Sequence, residues 1–145
     1  MHLSKKVELG NADFQSEKTV LLVDDNKELL ALLVKKFKMS GFNVLSVSNV
    51  KEALSILDAA PEIAAIVCDV RMPNQTGVDF FQKVTRRQAA RPVFMFMTGY
   101  PIITIEGAAK MGADGYFEKP FHMDVLIEAV IKAIKDKEGQ VAKVS

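Results

Sequence analysis

The stretch IVCDVRMPNQTG, residues 66–77, runs from an apolar segment into an aspartate, then Met-Pro and a glycine. Its upstream half, Ile63 to Cys68, is short and continuously apolar. That is the pattern of a strand buried on both faces of a parallel sheet, not of one alternating between core and water. Asp69 ends it. A polar residue suits any turn, so its meaning depends on what else the chain brings to the same place.

Working outward, apolar runs alternate with helical patterns. Upstream, TVLLVDD (Thr19 to Asp25) is a β-branched run ending in two acids. Asn26 to Ser40 follows as a helix, with Leu29, Leu30, Leu32, Leu33 and Phe37 at helical spacing and Gly41 as its stop. FNVLSV (Phe42 to Val47) alternates as a strand, and Asn49 to Ala59 is helical before Pro61. Downstream, Gly77 to Ala89 carries Val78, Phe80, Phe81 and Val84 on a helix, and PVFMFMT (Pro92 to Thr98) is a strand whose Met and Phe residues read as core. Ile102 to Met111 is a helix stopped by Gly112, Asp114 to Glu118 a short strand, and Phe121 to Lys137 an amphipathic helix with Ile127, Val130, Ile131 and Ile134 on one stripe. Strict βα alternation over five units implies an α/β fold: a doubly wound five-stranded parallel sheet with helices on both faces. Right-handed crossovers favour the flavodoxin-like order 2-1-3-4-5, whose site lies beyond the carboxyl ends of the strands.

Composition agrees with one globular domain. The chain has 145 residues, 49% hydrophobic and 26% charged. A domain of that size buries roughly 68–70% of its extended-chain surface without a disulfide or metal. A net charge of +1 argues against nucleic acid or an acidic membrane as partner. The single cysteine, Cys68, allows no internal disulfide and points to a reducing, cytoplasmic setting. No run is apolar enough to span a membrane, and the early lysines precede no apolar core of a signal peptide. Residues 1–18 read as a polar extension, 19–137 as the domain, and 138–145 as a fraying helix end and tail.

The residues closing each strand now matter. The first strand ends in Asp24 and Asp25, the third in Asp69, the fourth in Thr98 followed by Gly99, and Lys119-Pro120 follows the fifth. The topology converges three carboxylates, a hydroxyl and an ammonium on one rim. Carboxylates so packed repel one another unless a cation sits among them. An all-oxygen donor set suits a hard ion such as Mg²⁺, with Mn²⁺ as an alternative. A metal-bound carboxylate cluster beside a lysine and a threonine is suited to phosphoryl transfer, with an aspartate as nucleophile. Asp69, on the central strand, is the candidate acceptor, and Gly99 leaves room for the incoming group.

The set Asp24-Asp25, Asp69-x-x-Met72-Pro73, Gly77, Thr98-Gly99 and Lys119-Pro120 resembles the receiver domain of two-component response regulators, the CheY-like family, over roughly Thr19 to Lys137. The resemblance implies that Asp69 takes a phosphoryl group from a histidine kinase or a histidine phosphotransfer protein. It implies that Asp25, Asp69 and the backbone carbonyl of Arg71 ligate Mg²⁺, with Asp24 acting through water. Thr98 and Lys119 would contact phosphoryl oxygens, Tyr116 would be the aromatic switch residue, and Lys119-Pro120 a cis peptide. The expected output is a changed surface on the fourth and fifth helices and the fifth strand. That surface would meet an unknown output protein or a second copy of the chain. With no second domain encoded, the chain reads as a single-domain regulator or phosphorelay intermediate unless cut from a larger protein, and not as a turnover enzyme.

Each residue also has a plainer use. Asp24-Asp25 would serve as a helix cap, Thr98-Gly99 as a turn, Lys119 as a surface lysine and Tyr116 as packing. Two other functions compete: a scaffold that needs no phosphorylation, and a Mg²⁺-dependent aspartyl phosphatase. The phosphatase would want an acid two places after the nucleophile, where Arg71 stands. A long cation there is expected to change the lifetime of an acyl phosphate, with Tyr100 adding bulk. Ile102, Ile103 and Ile105, with Val125, Leu126 and Ala129 off the main stripe, offer either packing or a partner surface.

Overall fold

The computed structural model describes residues 18–59, 62–72, 75–87, 91–99 and 104–144, with the backbone alone at 105 and 140–144. Five strands and five helices alternate among them: β1 (Thr19–Val23), α1 (Lys27–Met39), β2 (Asn43–Val47), α2 (Val50–Ala59), β3 (Ile63–Asp69), α3 (Gly77–Arg87), β4 (Val93–Thr98), α4 (Ile105–Met111), β5 (Gly115–Glu118) and α5 (Met123–Val144). The strands pair in parallel in the order β2-β1-β3-β4-β5. This is the doubly wound arrangement expected from the alternation.

Period-2 alternation divides each strand between two cores. Leu21, Val23, Ile66, Cys68, Phe94 and Phe96 face one side and pack with α2, α3 and Ala108 of α4. Val20, Leu22, Ala65, Val67, Met95 and Met97 face the other and pack with α1 and α5. The phenylalanines of β4 meet those of α3, with Phe81 and Phe94 rings 4.9 Å apart near edge-on and Phe94 and Phe96 5.0 Å apart. The methionines fill the opposite layer, so VFMFM is core on both faces, as read from the sequence.

The element ends differ from the sequence reading where caps decide them. Asn26 caps α1, its Oδ1 accepting from Leu29 N at 3.1 Å, so the helix proper begins at Lys27. Thr104 caps α4 in the same way, accepting from Gly107 N at 2.9 Å, and the helix runs from Ile105; the start at Ile102 read from the sequence falls outside the described residues. At the other end α5 runs to Val144, through the stretch read as a frayed end and tail. That stretch has no proline and holds good helix formers, and its one glycine, Gly139, costs only about 1 kcal/mol against alanine. Lys18 also pairs with Glu138 and holds the helix to the start of β1. The sequence pattern places Leu126 off the core stripe; in the fold it is fully buried beside Ile127, because α5 lies against both α1 and the sheet and so buries a wide stripe. Val125 is exposed, as is Leu32 on α1. Residues 1–17, Pro73, Tyr100, Ile102, Ile103 and the side chain of Ile105 lie outside the described residues.

Candidate functional site

All five strands point their carboxyl ends at one rim, and that geometry assembles the site. β1 hands over to Asp24, whose N–H still donates to Val47 O of β2 at 3.2 Å, so the sheet ladder holds its backbone. Its side chain is fully buried. There Oδ1 accepts from Asn26 N at 2.8 Å and Oδ2 accepts from Lys119 Nζ at 2.9 Å. The same ammonium donates to Asp69 Oδ2 at 3.0 Å, and Asp69 Oδ1 accepts from Arg71 N at 3.1 Å. Asp25 is exposed beside them. One oxygen from each of Asp24, Asp25 and Asp69 lies within 4.8 Å of the others. Capping of α1 falls to Asn26, which leaves both aspartates to the rim.

The backbone around Asp69 is held tightly. Val70 N donates to Met97 O at 2.8 Å, and Gly77 N to Val70 O at 2.7 Å. A Cβ on Gly77 would sit 2.2 Å from the Asp69 carbonyl oxygen, so the first turn of α3 approaches the acceptor strand as only glycine permits. Thr98, buried at the end of β4, accepts the Lys119 N–H on its carbonyl at 2.8 Å, and Lys119-Pro120 is cis. An open cleft of about 510 Å³ is lined by Asp25, Asn26, Asp69, Arg71, Met72, Gly99 and Lys119.

Burial pushes the Asp69 carboxyl above its usual pKa, and Asp24 adds to the rise. Lys119 and the Arg71 N–H pull the other way without cancelling it. Burial also opposes the Lys119 ammonium, yet its hydrogen bonds to Asp24 and Asp69 outweigh that and raise its pKa. One lysine therefore does not neutralise the acids around it. The chemistry of the site is an under-compensated cluster of oxygen donors, open on one side, which fits a hard divalent cation.

Tyr116 lies on β5 opposite Phe96, and Thr98 lies opposite Glu118. Residues two apart share a sheet face, so Tyr116 sits one step below Thr98 on the α4 side. Its ring packs on that core, and its hydroxyl is shut from solvent with no hydrogen-bond partner among the described residues. Burial, with Glu118 nearby, raises its pKa. Asn26 lines the cleft although the sequence reading gave it no part there, only the helix-capping rule marking it; Met72, already part of the Asp69-x-x-Met72-Pro73 motif, lines the cleft too.

Fold and rim together define a class. The sequence model of the response regulator receiver domain matches residues 20–131, and the chain belongs to that family. It is similar to the transcriptional regulatory protein CpxR of Escherichia coli, with 37% identity over 116 residues, 79% of this chain and 48% of that protein. It is 36% identical over 129 residues to the positive alginate biosynthesis regulatory protein of Pseudomonas aeruginosa, covering 85% of this chain and 50% of that protein. A response regulator receiver domain protein from Clostridium thermocellum superposes with a TM-score of 0.77 at 24% identity, over 83% of this chain and 97% of that one. This chain spans about half the length of these two curated relatives.

That proportion corrects one expectation. A net charge of +1 argues against a nucleic-acid partner. Relatives named as transcriptional regulators match over only half their length, so the charge of a receiver-sized segment does not decide the question. No helix among the described residues is long and apolar enough to cross a membrane.

Proposed function

We propose that the protein is a phosphorylation-controlled signalling switch that accepts a phosphoryl group on Asp69. The observation that carries this reading is the shared ammonium: Lys119 Nζ lies 2.9 Å from Asp24 and 3.0 Å from Asp69, with Asp25 completing an acid cluster open to the cleft. Asp25, Asp69 and the Arg71 backbone carbonyl would hold Mg²⁺, and Asp24 would act through water. When bound, the ion neutralises phosphoryl oxygens and aligns the donor. No observation favours Mn²⁺ over Mg²⁺.

In the transfer, an oxygen of Asp69 forms the new O–P bond while the bond from phosphorus to the donor breaks and its electrons leave with the donor. The donor would be the phosphohistidine of a kinase or phosphotransfer protein. Lys119, already hydrogen-bonded to Asp69, is placed to follow the charge onto the phosphoryl oxygens. The buried Thr98 would be drawn towards the same oxygens. Tyr116, one step below it with a hydroxyl unpaired among the described residues, would answer by changing its packing. The output would appear on α4, β5 and α5, where an output protein or a second copy of the chain would bind in the cytoplasm.

The phosphatase reading is disfavoured because Arg71, not an acid, lines the cleft two residues after Asp69. Arg71→Asn is expected to change the decay rate of the acyl phosphate, read by loss of the added mass with time. The direct test is intact mass after incubation with Mg²⁺ and acetyl phosphate. A single phosphoryl addition is expected, absent in Asp69→Asn and absent without Mg²⁺. No addition to the native protein would leave the scaffold reading in its place.

A further inference from the structure

The far end of the sheet carries a second network, which the site does not use. Arg91 precedes β4. Its Nη1 donates to Asp114 Oδ2 at 2.8 Å and to the Pro92 carbonyl at 2.7 Å, and its Nη2 donates to the Gly112 carbonyl. The guanidinium carbon lies 5.2 Å from the centre of the Phe81 ring of α3. The Arg91 carbonyl accepts from Lys137 Nζ of α5 at 3.3 Å. The Asp114 oxygen that binds Arg91 also accepts from Phe94 N of β4 at 2.8 Å. One residue thus ties α3, β4, the end of α4, the turn into β5, and α5. Its ion pair with Asp114 is largely withdrawn from water, at 15% and 23% side-chain exposure.

The element most dependent on that tie is α4. It has seven residues with Gly107 inside, and a helix so short does not hold itself in water. Ala108 is its buried residue among those described. Its two ends are held differently. The C-terminal end closes through left-handed Gly112, whose carbonyl Arg91 grips, and through Ala113 N to Ala108 O at 3.1 Å. The N-terminal end is capped by Thr104, and only residues 99–103 separate Thr104 from Thr98 on the rim.

We propose that Arg91 is the pin of a hinge. Resting on the receiver reading above, a change of charge at Asp69 shifts the Thr104 end of α4 through Thr98, while Arg91 holds the Gly112–Asp114 end still. The helix swings about its own C-terminus. Arg91 is a positioning residue: it touches no reacting atom and acts by confining where the change can go.

The test is amide hydrogen exchange on the full chain, unmodified and with Mg²⁺ plus beryllofluoride as the phosphoryl analogue, in native protein, Arg91→Gln and Arg91→Lys. In the native protein the analogue-dependent change is expected to stop before Gly112. In Arg91→Gln, exchange at Gly112–Asp114 and Phe94 rises by about tenfold or more without the analogue, as befits a broken desolvated charge pair. The analogue-dependent change then spreads through Asp114. Arg91→Lys keeps the charge without the two-pronged reach and falls between; it is read alone if Arg91→Gln fails to fold. A native response that already crosses Asp114 overturns the hinge, as does unchanged exchange at 112–114 in both variants. A native protein that ignores the analogue, as Asp69→Asn should, overturns the receiver reading and the swing with it, while the exchange of the unmodified variants still reports whether Arg91 fixes the turn.

Discussion

The two ends of the sheet handle buried charge in opposite ways. At the rim, Asp24 and Asp69 share the ammonium of Lys119 with the exposed Asp25 carboxylate beside them, and burial holds Asp69 above its ordinary pKa. At the base, Arg91 and Asp114 form a one-to-one pair whose remaining valences are met by the Pro92 and Gly112 carbonyls and the Phe94 N–H. A satisfied pair fixes geometry. A deficient cluster stores an affinity for positive charge and for whatever that charge brings with it. The molecule thus has an end built to change and an end built to stay.

The sharpest way to break the contrast is Lys119→Ala. Removing one partner of a largely buried pair costs about 3–5 kcal/mol, a fall in Tm of roughly 10 °C for a chain of this size. Thermal melts without metal should show it, with the deficit largest near neutral pH, smaller on acidification because the freed carboxyls then take up protons, and smaller again as pH rises through the raised pKa of native Lys119. Added Mg²⁺ should return part of the loss. Gly77→Ala comes next. Its methyl would meet the Asp69 carbonyl oxygen at 2.2 Å, so backbone must move. A cost of about 2–3 kcal/mol is expected in the melt, together with slower phosphoryl uptake measured by intact mass.

Asp114→Asn tests the base. It keeps hydrogen-bonding oxygen but loses the charge, and should cost about 1–2 kcal/mol. Unlike Lys119→Ala, the loss should be indifferent to Mg²⁺. Asp69→Asn is the smallest effect and has the opposite sign. Because the native carboxyl holds its proton to higher pH than the unfolded chain does, its contribution to stability is full below the ordinary carboxylate value and is lost as pH rises through the raised native one. Metal-free Asp69→Asn should therefore melt a few degrees higher than native protein at neutral pH, each kcal/mol moving Tm by about 2–4 °C. The gap should close in acid.

The rim was legible in the sequence because a parallel sheet sends every strand's carboxyl end to one edge, so each strand's last residue names a neighbour. Ile63–Asp69 emerged with both bounds as read, since a continuous apolar run between polar turns has only one plausible extent. What stayed hidden depended on partners distant in the chain. That Lys119 bridges Asp24 and Asp69, ninety-five and fifty residues away, is a fact of three dimensions. The importance of Arg91 rests on Asp114, twenty-three residues on, with no periodicity to announce it. The burial of Leu126 and the reach of α5 to Val144 likewise came from packing on elements far away in sequence, against a local pattern that pointed to a narrower stripe and an earlier stop.

Cys68 has a practical consequence of its own. It is the chain's only cysteine, fully buried in the central strand, and its thiol donates to the Asp69 carbonyl at 3.2 Å. Burial, reinforced by Asp69 and Asp24, pushes its pKa well up, so in the folded protein it has neither access to reagents nor thiolate to offer them. A disulfide reagent in solution would therefore wait on the departure of β3 from its neighbours. Followed against reagent concentration, the labelling rate of the unaltered protein is a clock for how often its sheet comes apart.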